Sequence, residues 1–181
     1  MKLIEQKNLL NIIYTQNIDG LELKTGINSD KIVFAHGNIN EGNCSSCREK
    51  YSGEIVKKAV INNKILLCKV CNNPVKFSVV FFGEALPEKF YSHKETLRNS
   101  DLVFIIGTTM KVKPFANLIY QINPNTPIII INKEDILGNF KSPLLRTRNK
   151  IFSIDGNIDE IISQIIFYCK WQSHFKIFLN A

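Results

Sequence analysis

The amino-acid sequence predicts an α/β fold built on a parallel sheet and interrupted by a small metal-built module. Three observations carry that reading. Short continuous apolar runs alternate with stretches of helical character, the pattern of strands buried on both faces by crossover helices. The segment 38–77 breaks that pattern: Gly, Asn, Cys and Lys dominate it, and periodic apolar residues are few. The chain has 181 residues, 45% of them hydrophobic, enough for one domain with a real core or one domain carrying a small satellite.

Taken in order, residues 3–14 read as the end of a helix running into a strand from Leu9 to Tyr14. Residues 17–26 are a loop and a short helix closed by Gly26, and Lys31 to Ala35 is a short apolar strand. After the module, Ser78 to Phe82 is an apolar strand run. Residues 87–99 suit a helix, with Pro87 in its first turn. Asp101 to Ile106 is a buried strand that ends at Gly107, Thr108 and Thr109. Pro114 to Gln121 is a helix, Pro127 to Ile131 a second buried strand, and Ile151 to Ile154 a short one. Asn157 to Tyr168 is a helix with apolar Ile161, Ile162, Ile165 and Ile166. Cys169 to Ala181 is a tail without a clear signal.

Composition removes several function classes. The longest apolar run, around Ile128 to Ile131, is strand-sized, far from the roughly 20 residues of a membrane helix. Met1-Lys2-Leu3-Ile4-Glu5 lacks signal-peptide architecture, so an intracellular protein, nuclear or cytoplasmic, without disulfides or a membrane partner is expected. The net charge is +7, yet only 4 of the 23 basic residues are Arg. Abundant Lys, Asn and Ile share adenine- and thymine-rich codons, which explains the balance better than nucleic-acid binding does. The one local cluster, Lys141, Arg146, Arg148 and Lys150, reads as a solvated loop.

The cysteines give the most specific signal. Cys44 and Cys47 form one Cys-x-x-Cys pair, Cys68 and Cys71 another, with 20 residues between Cys47 and Cys68. Two intervening residues let both thiolates of a turn reach one tetrahedral ion, and two such turns close the site to water and substrate. One structural zinc is expected; the ligand set alone also admits iron, and four unrelated buried thiols is the competing reading. Cys169 lies outside the pattern and reads as an ordinary thiol.

Polar clusters follow four of the predicted strands: Thr15 to Gly20, His36-Gly37, Gly107-Thr108-Thr109, and Asn132-Lys133-Glu134. Ligands of open α/β sheets bind at the carboxyl ends of strands, so four such clusters suggest a site rich in ribose- and amide-binding groups.

These residues resemble the sirtuins, the NAD-dependent protein deacylases. Thr15-Gln16-Asn17-Ile18-Asp19-Gly20-Leu21-Glu22 looks like their signature, and so does His36-Gly37 followed closely by the cysteine pairs. Val80-Phe81-Phe82-Gly83-Glu84-Ala85-Leu86-Pro87 resembles their substrate-binding segment. Gly107-Thr108-Thr109-Met110, Val112, Pro114-Phe115-Ala116 and Ile131-Asn132-Lys133-Glu134 complete the series in order. The match runs from about Leu3 to Ile166, and the likeness is to the eukaryotic class acting on acetyl-lysine.

The resemblance implies an incomplete Rossmann-like parallel sheet, residues 1–37 and 78–168, with an inserted zinc module at 38–77 and a tail at 169–181. It implies transfer of an acetyl group from protein lysine to the ADP-ribose of NAD, with release of nicotinamide. His36 matches the general base and Asn17 assists it. Gln16, Asn17 and Asp19 match positions around nicotinamide and its ribose, although each could equally cap the following turn. Gly107, Thr108, Thr109, Asn132, Glu134 and Ile158 match positions around the adenine side of NAD. Phe82, Gly83 and Glu84 match a strand that pairs with the acetyl-lysine peptide, and Val80 and Val112 line the acyl channel or belong to the core. The implied partners are acetylated lysine peptides, with histones among the candidates, and no nucleic acid.

Departures qualify the likeness. Thr109 stands where serine is usual, Phe77-Ser78 replaces a Pro-aspartate pair, and Ile158 replaces a cysteine. The family's first strand, with its Gly-Ala-Gly-Ile-Ser turn and Pro-Asp-Phe-Arg segment, has no counterpart. That strand is the central one in a 3-2-1-4-5-6 order, so its absence is expected to split the sheet and leave two edges unpaired. The chain is therefore expected to be a fragment, a truncated gene model or a degenerate paralogue. The competing function is a non-catalytic remnant, a zinc-stabilised protein-interaction module.

Overall fold

The computed structural model describes residues 1–92, 94–139 and 150–172. They belong to two compact units, Met1–Ser92 and His93–Ala181. Lys141, Arg146 and Arg148 of the basic cluster, and the tail from residue 173, lie outside the described residues.

The first unit opens with helix α1, Lys2–Gln6. Asn8 then turns the chain at φ 57°. Strand β1 is Ile13–Thr15, shorter than the expected Leu9–Tyr14. The physical reason is that Leu10 drops into a core with Ile27 and Ile32 before the ladder begins. β1 pairs in parallel with β2, Ile32–Phe34, in the register Ile13 opposite Ile32. Between them lie helix α2, Leu21–Lys24, and a 3₁₀ turn at Ser29–Lys31, whose Asp30 N–H donates to the Asn28 side chain.

The module is more ordered than its composition suggests. Strand β3 is Gly37–Cys44, β4 is Lys50–Ser52 and β5 is Val75–Val79, forming an antiparallel sheet in the order β4-β3-β5. Helix α3, Gly53–Ile61, packs on it through buried Val56. Cys44, Val56, Cys68 and Val75 are the buried centre, with Tyr51, Leu66 and Phe77 against them. The strand expected at Ser78–Phe82 thus lies a few residues earlier. Beyond Val80 the chain leaves the sheet into a turn, closed by Glu84 N–H donating to Phe81 O, with Gly83 at φ 86°. Helix α4, Glu88–Ser92, closes the unit, with Phe90 edge-on to Tyr14.

The second unit begins with helix α5, Lys94–Arg98. Its sheet is parallel, in the order β6-β7-β8, where β6 is Val103–Ile106, β7 is Ile128–Asn132 and β8 is Ile151–Asp155. Central β7 has Ile128, Ile130 and Ile131 at 0% exposure, so the expected burial on both faces holds there. It does not hold at β8, where Phe152 and Ile154 are exposed. The helix expected at Pro114 to Gln121 is a 3₁₀-helix over Phe115–Gln121, burying Phe115 and Ile119. Helix α6, Ile158–Tyr168, buries Ile161, and its first-turn N–H groups of Asp159 and Glu160 donate to the Asn157 side chain.

β1-β2 is the parallel sheet of the first unit and β6-β7-β8 that of the second. Among the described residues, no helix is long and apolar enough to cross a membrane.

Candidate active site and metal centre

The four cysteines converge. The sulfurs of Cys44, Cys47, Cys68 and Cys71 all lie within 4.8 Å of one another. Cys44 Sγ is 3.4 Å from Cys71 Sγ and Cys47 Sγ is 3.6 Å from Cys68 Sγ. A tetrahedral zinc with Zn–S bonds of about 2.3 Å places its sulfurs about 3.8 Å apart, so the cluster fits a structural zinc.

Its surroundings favour thiolates. The Ser46 backbone N–H donates to Cys44 Sγ, and that of Val70 to Cys68 Sγ. The Tyr51 hydroxyl donates to Cys68 Sγ at 3.3 Å and accepts from the Lys69 backbone N–H at 2.8 Å. The Cys71 thiol is pulled down to about 6, first by the Asn73 backbone N–H, then by its side-chain amide and by Cys44. Cys68 is lowered chiefly by Tyr51. The Glu49 backbone N–H favours the Cys47 thiolate, but the other thiols and burial outweigh it and push Cys47 up to about 12. Tyr51 and Asn73 are contributors that ligand spacing alone does not reveal; an aromatic hydroxyl four residues beyond Cys47 is the one available signal.

His36 follows β2 and is half-buried. Its Nδ1 lies 3.3 Å from the Gln16 carbonyl oxygen. A carbonyl only accepts, so Nδ1 carries the hydrogen and the lone pair of the neutral ring falls on Nε2. The backbone around it is fixed: Ala35 N–H donates to Thr15 O at 2.9 Å, and Val80 N–H donates to His36 O at 2.9 Å. Gly37 has φ 72°, and a Cβ there would stand 1.7 Å from Ser78 O. The loop after β1 is exposed at Asn17 and Asp19. Asp19 Oδ1 accepts from Leu21 N–H, the first amide of α2, at 3.0 Å. Asn17 N–H donates to Thr15 Oγ1.

Val80 is half-buried, whereas Phe82, Gly83 and Glu84 are exposed in a turn, not a strand. Glu84 N–H donates to Phe81 O at 3.0 Å, and the Glu84 carboxylate accepts from Phe81 N–H at 2.8 Å. That amide, then Lys76, holds the Glu84 carboxyl below the usual range.

In the second unit, the expected residues gather at the carboxyl edge of β6-β7-β8. Gly107 has φ 63°, and a Cβ there would lie 3.2 Å from Ile158 Cδ1. Its N–H donates to Ile131 O at 3.0 Å. Thr108 Oγ1 accepts from Met110 N–H, and Thr109 O accepts from the Asn139 amide. The Asn132 amide donates to Glu134 O, while Asn132 O accepts from Gly156 N–H. Glu134 is exposed, as is Val112, which therefore is no core residue. A cleft of about 530 Å³ lined by Arg98, Asp101, Asn125 and Lys150 belongs to the opposite, amino-terminal edge of this sheet. It is wide open, and strand amino ends are not where α/β sheets place their chemistry.

These features define an α/β protein with glycine- and amide-bearing strand ends and a four-thiol structural lobe. Sequence comparison takes the class to a family. The model of the Sir2 family matches residues 1–114. The chain is 36% identical over 171 residues to the NAD-dependent protein deacetylase sirtuin-3 of Mus musculus, covering 94% of this chain and 50% of that protein. It is 31% identical over 179 residues to the NAD-dependent protein deacetylase hst2-2 of Emericella nidulans, covering 97% and 49% respectively. It is 35% identical over 184 residues to the NAD-dependent deacetylase sir2A of Dictyostelium discoideum, covering 97% and 36%. The chain belongs to the Sir2 family, and it spans about half the length, or less, of these relatives.

Proposed function

We propose that this chain carries NAD-dependent protein lysine deacetylase chemistry: acetyl-lysine, NAD and water give lysine, nicotinamide and O-acetyl-ADP-ribose. The observation that carries it is the setting of His36. Its Nδ1 is oriented by the Gln16 carbonyl and its own carbonyl is tied to Val80, the first residue of the proposed substrate segment.

NAD supplies the electrophilic sugar carbon and the leaving nicotinamide. His36 Nε2 is the general base that takes a ribose hydroxyl proton, and Asn17 assists. Gln16, Asn17 and Asp19 hold the nicotinamide end; Gly107, Thr108, Thr109, Asn132, Glu134 and Ile158 hold the adenine end. Val80 and Val112 line the acyl-lysine channel, and the backbone of Phe82, Gly83 and Glu84 pairs with the peptide. The zinc is structural: four thiolates leave no open coordination position. Residues 1–37 and 78–168 form the nucleotide-binding part and 38–77 the zinc module. Acetylated proteins, histones among them, are the substrates, and the protein works inside the cell.

The test is mass spectrometry of an acetylated lysine peptide incubated with NAD and the full chain. His36→Tyr is expected to lower turnover by about 10²-fold or more while leaving zinc content unchanged. Full NAD-dependent deacetylation by the His36→Tyr protein would refute the role given to His36. Absence of both NAD binding and product in the wild-type chain would refute the enzyme reading.

A further inference from the structure

We propose that Lys76, on β5 and outside the residues assigned to substrate or NAD, is a positioning residue that latches the turn Phe81–Glu84 and thereby sets the affinity for the acetylated peptide. The substrate half of this inference rests on the deacetylase reading above.

The latch is made of one ammonium group. Lys76 Nζ donates to Val79 O at 2.8 Å and to Glu84 Oε2 at 2.9 Å, and it stands 4.4 Å from the centroid of the Phe81 ring. The same Glu84 oxygen accepts from Phe81 N–H. Lys76 thus grips the end of its own strand, the carboxylate that closes the turn, and the aromatic face at the start of the turn. Among the described residues, each hydrogen bond or ion pair tying Phe81–Glu84 to β5 runs through this ammonium.

The turn has little else to hold it. Phe82 is fully exposed at 105%, and a Cβ on Gly83 would meet nothing within 4 Å. Upstream, Val80 N–H bonded to His36 O fixes the point where the segment leaves the sheet. The turn between that point and α4, whose Phe90 is buried, must otherwise be ordered by the peptide that pairs with it, and that ordering weakens binding. Lys76 supplies a fixed point within the turn, which spares the peptide this cost. Its own register is set by pairing with Asn43 on β3.

Lys76→Met keeps the length of the stem and removes the charge, whereas Lys76→Arg keeps a cation able to reach both oxygens. Two readouts decide. Limited chymotrypsin digestion at neutral pH reads the turn directly at Phe81 and Phe82, without reference to activity. Steady-state kinetics with an acetylated peptide at saturating NAD reads its consequence. Lys76→Met is expected to be nicked several-fold faster and to raise the peptide KM roughly five- to tenfold, with kcat within about twofold. Lys76→Arg should stay near wild type in both, and all three proteins should hold one zinc. Unchanged nicking in Lys76→Met overturns the latch. Faster nicking with an unchanged or lower KM overturns its role in peptide binding. Loss of zinc together with kcat assigns Lys76 to the module's structure and also overturns the proposal. A wild-type chain that never turns over peptide refutes the deacetylase reading and the substrate half with it, while the digestion still decides the latch.

Discussion

Gly37→Ala is the substitution whose cost the structure states most directly. Gly37 follows His36, opens β3 and pairs with Val79 on β5. Two penalties add. The left-handed conformation at φ 72° costs a residue with a Cβ about 1–2 kcal/mol. The new methyl would also stand 1.7 Å from Ser78 O and 2.8 Å from Ser78 C. Both are backbone atoms, so no rotamer change relieves the clash and the two strands must part, an overpacking cost of about 1–3 kcal/mol. The sum, about 2–5 kcal/mol, is a large share of the roughly 5–15 kcal/mol that holds a domain folded. Gly26→Ala is the matched control: φ is 73°, and nothing lies within 4 Å of its would-be Cβ. It incurs the first penalty alone. Urea denaturation followed by far-UV circular dichroism should place the Gly37→Ala midpoint about 1 M below that of Gly26→Ala, given a slope of about 1–3 kcal/mol per M. Release of zinc at lower urea would locate the damage in the β3–β5 ladder. Equal midpoints for the two variants would refute the reasoning.

Further outcomes follow from the same contacts. Chelation of zinc from reduced protein should melt β3, β4 and β5 together, since apparent structural-zinc affinities of about 10–16 kcal/mol rival the stability of a whole domain; an unchanged circular dichroism spectrum after metal loss would count against it. Tyr51→Phe removes the hydroxyl bonded to Cys68 Sγ and should speed zinc release to a chromogenic chelator by about tenfold, with zinc still bound at the start. Gly107→Ala meets only the terminal methyl of Ile158, at 3.2 Å, so its cost should stay near the conformational term of about 1–2 kcal/mol, and adding Ile158→Val should recover any excess in a thermal melt. Glu84 has a folded carboxyl lowered by Phe81 N–H and Lys76, so its contribution is present above the unfolded value and is lost as pH falls through the lower folded one. The hydrogen-exchange protection factor of Phe81 N–H should therefore persist to pH 4.5 and collapse only below it.

What the sequence makes legible depends on whether the signal is local. The two Cys-x-x-Cys pairs specify their cluster because each ligand pair is one turn. The run ending at Ile131 specifies a buried parallel strand because a covered strand has no polar alternation, whereas the run ending at Ile106 gives a parallel strand in which Ile105 alone is buried. The module's sheet escapes such reading. β3 runs through Gly37, Asn38, Asn40 and Asn43, residues with poor strand propensity. It exists because Gly37 and Gly42 let β5 and α3 come close: a Cβ on Gly42 would lie 2.5 Å from Val56 Cγ2 on α3 and 3.0 Å from Lys76 O on β5. Those are tertiary requirements with no periodic trace. The turn at Phe81–Glu84 hides for the converse reason. Its apolar run reads as a strand, yet Lys76, five residues before Phe81, folds Glu84 back on it.

The architecture also gives the zinc a mechanical reason to sit away from the proposed base. β3 begins immediately after His36 and ends at Cys44, a metal ligand. β5 begins at Val75, paired with Cys44, and ends at Val79, paired with Gly37. Each strand therefore has one end at the metal and the other beside the proposed base, a span of roughly 13 Å along the four steps of β5 at about 3.3 Å per residue. The ladder is interrupted between Asn38 and Gly42, where Ile39, Asn40 and Glu41 bulge away from β5. The bulge is itself held: Ile39 N–H donates to Ile18 O at 2.9 Å, and Asn40 Nδ2 fills the space a Cβ on Gly20 would need. It thereby grips the loop after β1 that carries Gln16, Asn17 and Asp19. Closing the far end of the ladder with a metal fixes the register of β3 on β5. A fixed register in turn sets three things at once: the backbone of His36, the start of the proposed substrate turn at Val80, and the loop around Ile18. A four-thiolate ion without an open position can govern the proposed chemistry in this way alone, by deciding whether those three segments share one geometry.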